Sequence, residues 1–290
     1  MKKWKAWLLA ARPKTLTASV SPVLVGCALA FRDGVFRPAP AVLCLGVALL
    51  AQVAANLAND YFDFGKGADR EGRLGQARAV ASGWIAPAAM LHGALGVLGA
   101  ACLCGCGLLF LAGWELIGVG VAMVVCVLAY TAGPYPLAYR GWGDVCVLVF
   151  YGIVPVCFTY YVQAHAFSMT AFWLSLSPGL LSVNILLVNN YRDCEQDAAV
   201  GKRTTVVLFG RRFGRVLYLA NILLAVVFSF PVYLYRHWNS WILFFMIILL
   251  QIFTWQDLFR LRGGELNRTL EQTARNVLLY ASLLVSLLLC

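Results

Sequence analysis

The chain has 290 residues, of which 61% are hydrophobic and only 12% charged. A soluble domain carries about 25% charged residues, so the composition excludes an ordinary soluble globular protein. The net charge of +10 is concentrated between apolar stretches, where it reads as a topology signal and calls for no nucleic-acid partner.

Apolar stretches recur from end to end, each close to the ~20 residues needed to cross a hydrocarbon core. A spanning segment must satisfy its own backbone hydrogen bonds, which predicts an all-α integral membrane bundle. Nine transmembrane helices are expected, forming a single domain over residues 1–290. The chain opens with "MKKWKAWLLAARPK". Its basic start resembles a signal peptide, but no short apolar region with a small-residue cleavage site follows, so 15–31 is read as the first span. The second span, 39–58, runs directly into "NDYFDFGKGAD" (59–69). Spans 88–111 and 114–130 follow, and then "YTAGPYPLAYRGWGD" (130–144). The fifth and sixth spans are 144–162 and 171–190, the sixth ending in "NNYRDCEQDAAVGKRT" (189–204). Spans 214–235, 239–256 and 272–289 complete the set.

The loops alternate in charge. Of the 23 Lys and Arg, 20 fall on the N-terminal side or after even-numbered spans, and only Arg32, Arg37 and Arg236 fall on the other side. The positive-inside rule therefore predicts a cytoplasmic N-terminus and an outside C-terminus. The ten cysteines scatter through apolar spans, where they behave as small hydrophobes. The three histidines lie near span ends and far apart, as interfacial residues do.

The acids are not scattered. Seven of the 13 Asp and Glu lie in two segments, Asp60, Asp63, Asp69 and Glu71, then Asp193, Glu195 and Asp197. "NDYFD" (59–63) and "NNYRD" (189–193) share Asn, Tyr and Asp in register, each at the end of a span. Asn56, Asn59, Asp60 and Asp63 fall at i, i+3, i+4 and i+7, one helical stripe. Asn189 or Asn190, with Asp193 and Asp197, makes a similar stripe. Asp and Asn at helix ends often act as caps, but two clusters with one shared lead point to a ligand. Ionised carboxylates on one face repel and need cations; hard divalent ions suit oxygen ligands, and Mg²⁺ completes its shell with water and substrate phosphate. Two facing stripes are expected to hold two Mg²⁺ ions and clamp a diphosphate. Lys66, Arg70, Arg73, Lys202 and Arg203 would meet its remaining charge. "GKRTT" (201–205) lacks the upstream glycine of a phosphate loop, which argues against an ATP-driven machine.

These motifs, together with "RPKTLTASVSPVLVG" (12–26), resemble the UbiA superfamily of membrane prenyltransferases. Within it they look like the branch that prenylates 1,4-dihydroxy-2-naphthoate in menaquinone synthesis. Asp60 and Asp63 match the superfamily's "NDxxDxxxD"; the third acid is Asp69, where the general pattern expects position 67, a glycine here. The resemblance implies a bundle around a central cavity in the bacterial cytoplasmic membrane, with its active site near the cytoplasmic face. A polyprenyl diphosphate would bind head-first at Mg²⁺ held by Asp60, Asp63, Asp69, Asp193 and Asp197. Lys66, Arg73, Lys202 and Arg203 would hold the diphosphate. Asn56, Asn59, and Lys14 or Arg140 would hold the acceptor, with Arg12 an equal candidate for its carboxylate. The ring of Tyr139, like those of Tyr130 and Tyr135, would face the allylic cation. The expected product is demethylmenaquinone, with loss of CO₂ and diphosphate. Two rivals are a prenyltransferase acting on another aromatic acid, such as 4-hydroxybenzoate, and a cation transporter. A transporter would place its acids near the bilayer midplane.

Overall fold

The computed structural model describes residues 2–69, 74–233 and 238–289. All regular structure among them is helical. The first two helices, α1 (Lys3–Ala11) and α2 (Thr17–Arg32), are bent by 52° about a short 3₁₀ turn. The break is local chemistry. Arg12 adopts a left-handed backbone (φ 54°) and its N–H returns to the Leu9 carbonyl. Pro13, which follows, has no N–H with which to continue the helix. The Arg12 side chain is thereby delivered from a helix break rather than from a helix face.

Next come α3 (Pro38–Gly65), α4 (Pro87–Ala112), α5 (Ile117–Ala129) and α6 (Gly143–Leu148). A π-helical turn, Val149–Ile153, joins α6 to α7 (Val154–Ala164). The chain continues through α8 (Met169–Ala199), α9 (Thr205–Tyr233), α10 (Trp238–Arg260) and α11 (Leu266–Leu289). Seven helical segments among the described residues are long and apolar enough to cross a membrane, and the bent α1–α2 pair makes an eighth. The predicted fourth span is an apolar helix, Trp114–Ala129, too short to be counted with the others. Within the described residues the nine predicted segments are therefore helical, while the number that fully cross stands at seven or eight by length.

Two boundaries differ from expectation in a way that matters. α3 runs past residue 58 to Gly65, and α8 runs past residue 190 to Ala199. Loss of hydropathy marks where a helix leaves the apolar layer; it does not break the i→i−4 hydrogen bonds. Asp60, Asp63, Asp193 and Asp197 consequently lie on rigid helix.

α8 is the most enclosed span, with 72% of its apolar window buried, against 17% for α4. It packs with α2, α9 and α11 around Leu29, Leu181, Tyr191, Tyr218, Ile222 and Tyr280. Buried amides and hydroxyls tie these helices: Asn184 donates to the Tyr218 carbonyl, Asn221 donates to Asn184, and the Tyr218 hydroxyl meets Thr254 and Thr273. Small side chains allow close helix contact. A Cβ on Gly152, in the π turn, would lie 2.6 Å from the Gly179 Cα of α8. The acidic end of α8 is thus fixed at the centre of the bundle.

Candidate active site

A cavity of about 1050 Å³ runs between α2, α3, α4, α5 and the α6–α7 segment. Most of its wall is apolar, including Val23, Val47, Leu98, Leu108, Val124 and Phe158. Its polar wall includes Arg12, Asn59, Arg78, Asn189 and Arg192. A second, polar cavity of about 80 Å³ adjoins it, sharing Arg12, Asn59, Arg78, Tyr130, Leu186 and Asn189 and adding Asp63 and Lys202. A long greasy chamber thus meets a small charged one at the ends of α3 and α8.

The stripe on α3 divides in two. Asn56 lines the large cavity, Asn59 both cavities and Asp63 the small one. Asn56 also donates to the Ala11 carbonyl (3.0 Å), and Asn59 accepts from the Thr131 hydroxyl (2.9 Å). Asp60 lines neither cavity. Its carboxylate is buried and accepts the backbone N–H groups of Ala79 (3.0 Å) and Val80 (3.2 Å). Asp60 sits at the edge of the stripe and turns to the 79–80 backbone, where the sequence placed it with the metal ligands.

Asp63 accepts the Tyr139 hydroxyl at 2.8 Å and faces Arg78 Nη2 at 3.4 Å. Asp69, beyond the end of α3, lies 3.2 Å from Arg78 Nε. All three charged groups are buried, and one guanidinium spans two carboxylates. On α8, Asp193 accepts two bonds from Arg192, at 2.7 and 2.6 Å. Arg192 is further held by Asn189 (2.6 Å) and Asn267 (2.7 Å). A Cβ at position 75 would lie 2.5 Å from the same guanidinium, so a larger residue there would have to displace it. Asp197 pairs with Lys202 at 3.3 Å.

Tyr139 joins the two motifs. Its ring lies under the Lys66 ammonium (4.5 Å to the centroid) and that of Lys202 (5.7 Å), contacts of cation–π range. Lys66 also donates to the Thr131 carbonyl at 2.5 Å. Burial lowers the Lys66 pKa below the ordinary lysine value, with Asp63 opposing the shift. In this structure the Tyr139 ring therefore serves lysines; Tyr130 and Tyr151 are the tyrosines that line the large cavity.

Other expected residues fall elsewhere. Arg140 is exposed, stacks over exposed Tyr135 (5.0 Å) and lines neither cavity. Arg203 is likewise exposed, and only its backbone N–H reaches inward, to the Tyr139 carbonyl (3.1 Å). Lys14 is at the rim of the large cavity, paired with Glu271 at 2.5 Å. Arg70, Glu71, Arg73, Arg236 and His237 lie outside the described residues. Arg78 and Arg192, read from the sequence only as topology charge, are brought by the structure into the candidate site, where they line the large cavity and contact Asp63, Asp69 and Asp193. The one available signal for Arg78 was its setting, a lone charge among small residues in "GQARAVAS" (75–82).

No three His, Cys, Asp or Glu side chains among the described residues converge on one point. The donor set nevertheless suits a hard divalent cation bound by few protein ligands. Asp63 and Asp69 are buried oxygen donors already bridged by a positive group, and Mg²⁺ typically takes one or two carboxylates plus water and phosphate.

A family model described as "UbiA prenyltransferase family" matches residues 19–284. A 1,4-dihydroxy-2-naphthoate octaprenyltransferase of Haemophilus influenzae is 38% identical over 232 residues, covering 77% of this chain and 75% of that protein. The Escherichia coli protein of the same name is 35% identical over 235 residues, covering 78% and 76%. A solved structure of a UbiA homolog from Archaeoglobus fulgidus bound to GPP and Mg²⁺ superposes with a TM-score of 0.65 at 16% identity, covering 98% of this chain and 99% of that one. At that identity it speaks for the fold alone.

Proposed function

The chain belongs to the UbiA prenyltransferase family, and from that premise we propose that it transfers a polyprenyl group from polyprenyl diphosphate to 1,4-dihydroxy-2-naphthoate. The carrying observation is the junction of the apolar chamber with the small cavity that contains Asp63 and Lys202. An isoprenoid tail is all hydrocarbon and its diphosphate is all charge; the two cavities divide the same way. The relatives named above carry the same acceptor in their names.

The allylic C–O bond breaks and its electron pair leaves with the diphosphate. The electron-rich ring carbon that bears the carboxylate attacks the allylic carbon, and the C–CO₂ bond then breaks to restore the aromatic ring. The prenylated naphthoquinol so formed yields demethylmenaquinone on oxidation. Lys202 and Arg78, which line the small cavity, and Lys66, which is exposed but lies over the same Tyr139 ring as Lys202, would meet diphosphate charge as it develops. The apolar chamber keeps water from the allylic cation. Mg²⁺, when bound, would supply positive charge to the departing diphosphate. Asp63 and Asp69 would hold one ion, and Asp193 and Asp197 a second. Arg12 lines both cavities, which favours it over Arg140 as the partner of the acceptor carboxylate. The strong charge asymmetry of the loops supports a cytoplasmic N-terminus and active site in the bacterial inner membrane, and the continuous packing supports a single domain.

Incubation of the purified protein with a polyprenyl diphosphate, Mg²⁺ and a panel of aromatic acids tests this, with lipid products weighed by mass spectrometry. The naphthoate is expected to be prenylated with loss of its carboxyl mass. Prenylation of 4-hydroxybenzoate in preference to it would overturn the assignment.

A further inference from the structure

We propose that Arg78 is a resident counter-cation that holds the place of a divalent ion between Asp63 and Asp69, and that Asp60 is the positioning residue that keeps Arg78 there rather than a metal ligand. This rests on the reading of Asp63 and Asp69 as metal-binding carboxylates.

Two buried carboxylates near one another are costly unless a cation lies between them. In this structure that cation is the Arg78 guanidinium, whose side chain is 8% exposed. Its hold is loose. The contacts are 3.4 Å to Asp63 and 3.2 Å to Asp69, whereas charged hydrogen bonds settle near ~2.7–2.9 Å. Arg192 shows the tight alternation on the other motif, at 2.6 and 2.7 Å from Asp193. Arg78 Nη1 is buried and has no hydrogen-bond partner among the described residues. A guanidinium with a spare buried donor, lining both cavities, is suited to leave its carboxylates when a stronger cation arrives. It then faces the cavity in which the anionic substrate sits.

Asp60 explains why Arg78 is present at all. Arg78 comes from the α3–α4 connection, whose described residues form only turns and bends. The two backbone N–H groups that follow it, at Ala79 and Val80, are both bound by the Asp60 carboxylate. One buried side chain therefore fixes the peptide that carries the guanidinium. Because its carboxylate accepts both N–H groups of that turn, Asp60 is coupled to the metal pair through Arg78.

Direct Mn²⁺ binding to the full-length detergent-solubilised protein, read by electron paramagnetic resonance without substrates, tests both halves. Arg78→Gln is expected to bind Mn²⁺ at least threefold more tightly than wild type, because the competing charge is gone. Arg78→Lys keeps a charge that cannot span both acids and should fall between. Asp60→Asn should bind as tightly as wild type or more so, while Asp63→Asn should bind at least tenfold more weakly. Should Asp60→Asn fail to fold, Asp60→Ser keeps one acceptor for the turn and carries the same expectation. Unchanged or weaker binding by Arg78→Gln overturns the counter-cation. Weakening by the Asp60 variant to the level of Asp63→Asn makes Asp60 a ligand and overturns its positioning role. Wild-type affinity in Asp63→Asn would instead remove the metal reading on which both rest.

Discussion

Lys202 and Arg203 are neighbours with opposite surroundings, and the difference makes a sharp experiment. Lys202 lines the polar cavity with its ammonium 3.3 Å from Asp197 and 5.7 Å from the Tyr139 ring centroid. Arg203 points its side chain to solvent. Loss of a charged hydrogen bond to phosphate costs about 1.5–3 kcal/mol. Lys202→Ala should therefore raise the KM for polyprenyl diphosphate roughly 10- to 100-fold, since ~1.4 kcal/mol is a factor of ten, while Arg203→Ala stays within about twofold of wild type. Steady-state kinetics with the diphosphate varied checks both. Arg12 and Arg140 form the matching pair on the acceptor side. Arg12→Gln should raise the KM for the naphthoate far more than that for the diphosphate, and Arg140→Gln should change neither. The aspartates and lysines of this site were legible in the sequence because helical spacing and local charge are written in adjacent residues. Arg78 was not, because it reaches Asp63 across 15 positions through a turn whose shape depends on the Asp60 carboxylate. Arg140 looked equivalent to Arg12 in sequence; only the left-handed break at Arg12 and the stacking of Arg140 on Tyr135 separate them.

At the scale of elements, hydropathy located the long apolar helices but missed α1 (Lys3–Ala11) and misjudged where the two important ones stop. α3 and α8 extend beyond their apolar stretches, and that extension turns two acidic loops into two rigid platforms. The π turn Val149–Ile153 gave no sequence signal, since it is a response to packing. Gly152 there meets Gly179 of α8 backbone to backbone, and a Cβ would lie 2.6 Å from the Gly179 Cα and 2.9 Å from the Ser175 carbonyl. Gly152→Val should consequently push the α6–α7 segment off α8. Overpacking of this kind typically costs about 1–3 kcal/mol. The thermal midpoint in detergent should fall by several degrees, and turnover should fall with it because Tyr151, on the same turn, lines the large cavity. A variant with unchanged melting and kinetics would show that the two helices part freely.

For the whole molecule, the arrangement follows from a single division of labour. Apolar faces of α2 to α7 enclose a chamber of about 1050 Å³, and the charged residues gather at one end of it. The side of the membrane on which that end lies is set by charge. Single cysteines at Lys202 and at Arg37, in a background without the native ten, report it. Lys202 should be reached by an impermeant thiol reagent only from the cytoplasmic face and Arg37 only from the opposite face; labelling of both from one face would contradict the topology. The central claim is the reaction itself, a prenyl transfer that displaces the carboxyl group of the acceptor. The direct measurement uses carboxyl-labelled 1,4-dihydroxy-2-naphthoate with the purified protein, Mg²⁺ and a polyprenyl diphosphate, counting released CO₂ against prenylated lipid. One labelled CO₂ should appear for each prenyl group attached, and none with Asp63→Asn. A prenylated product that retains the label would contradict the account.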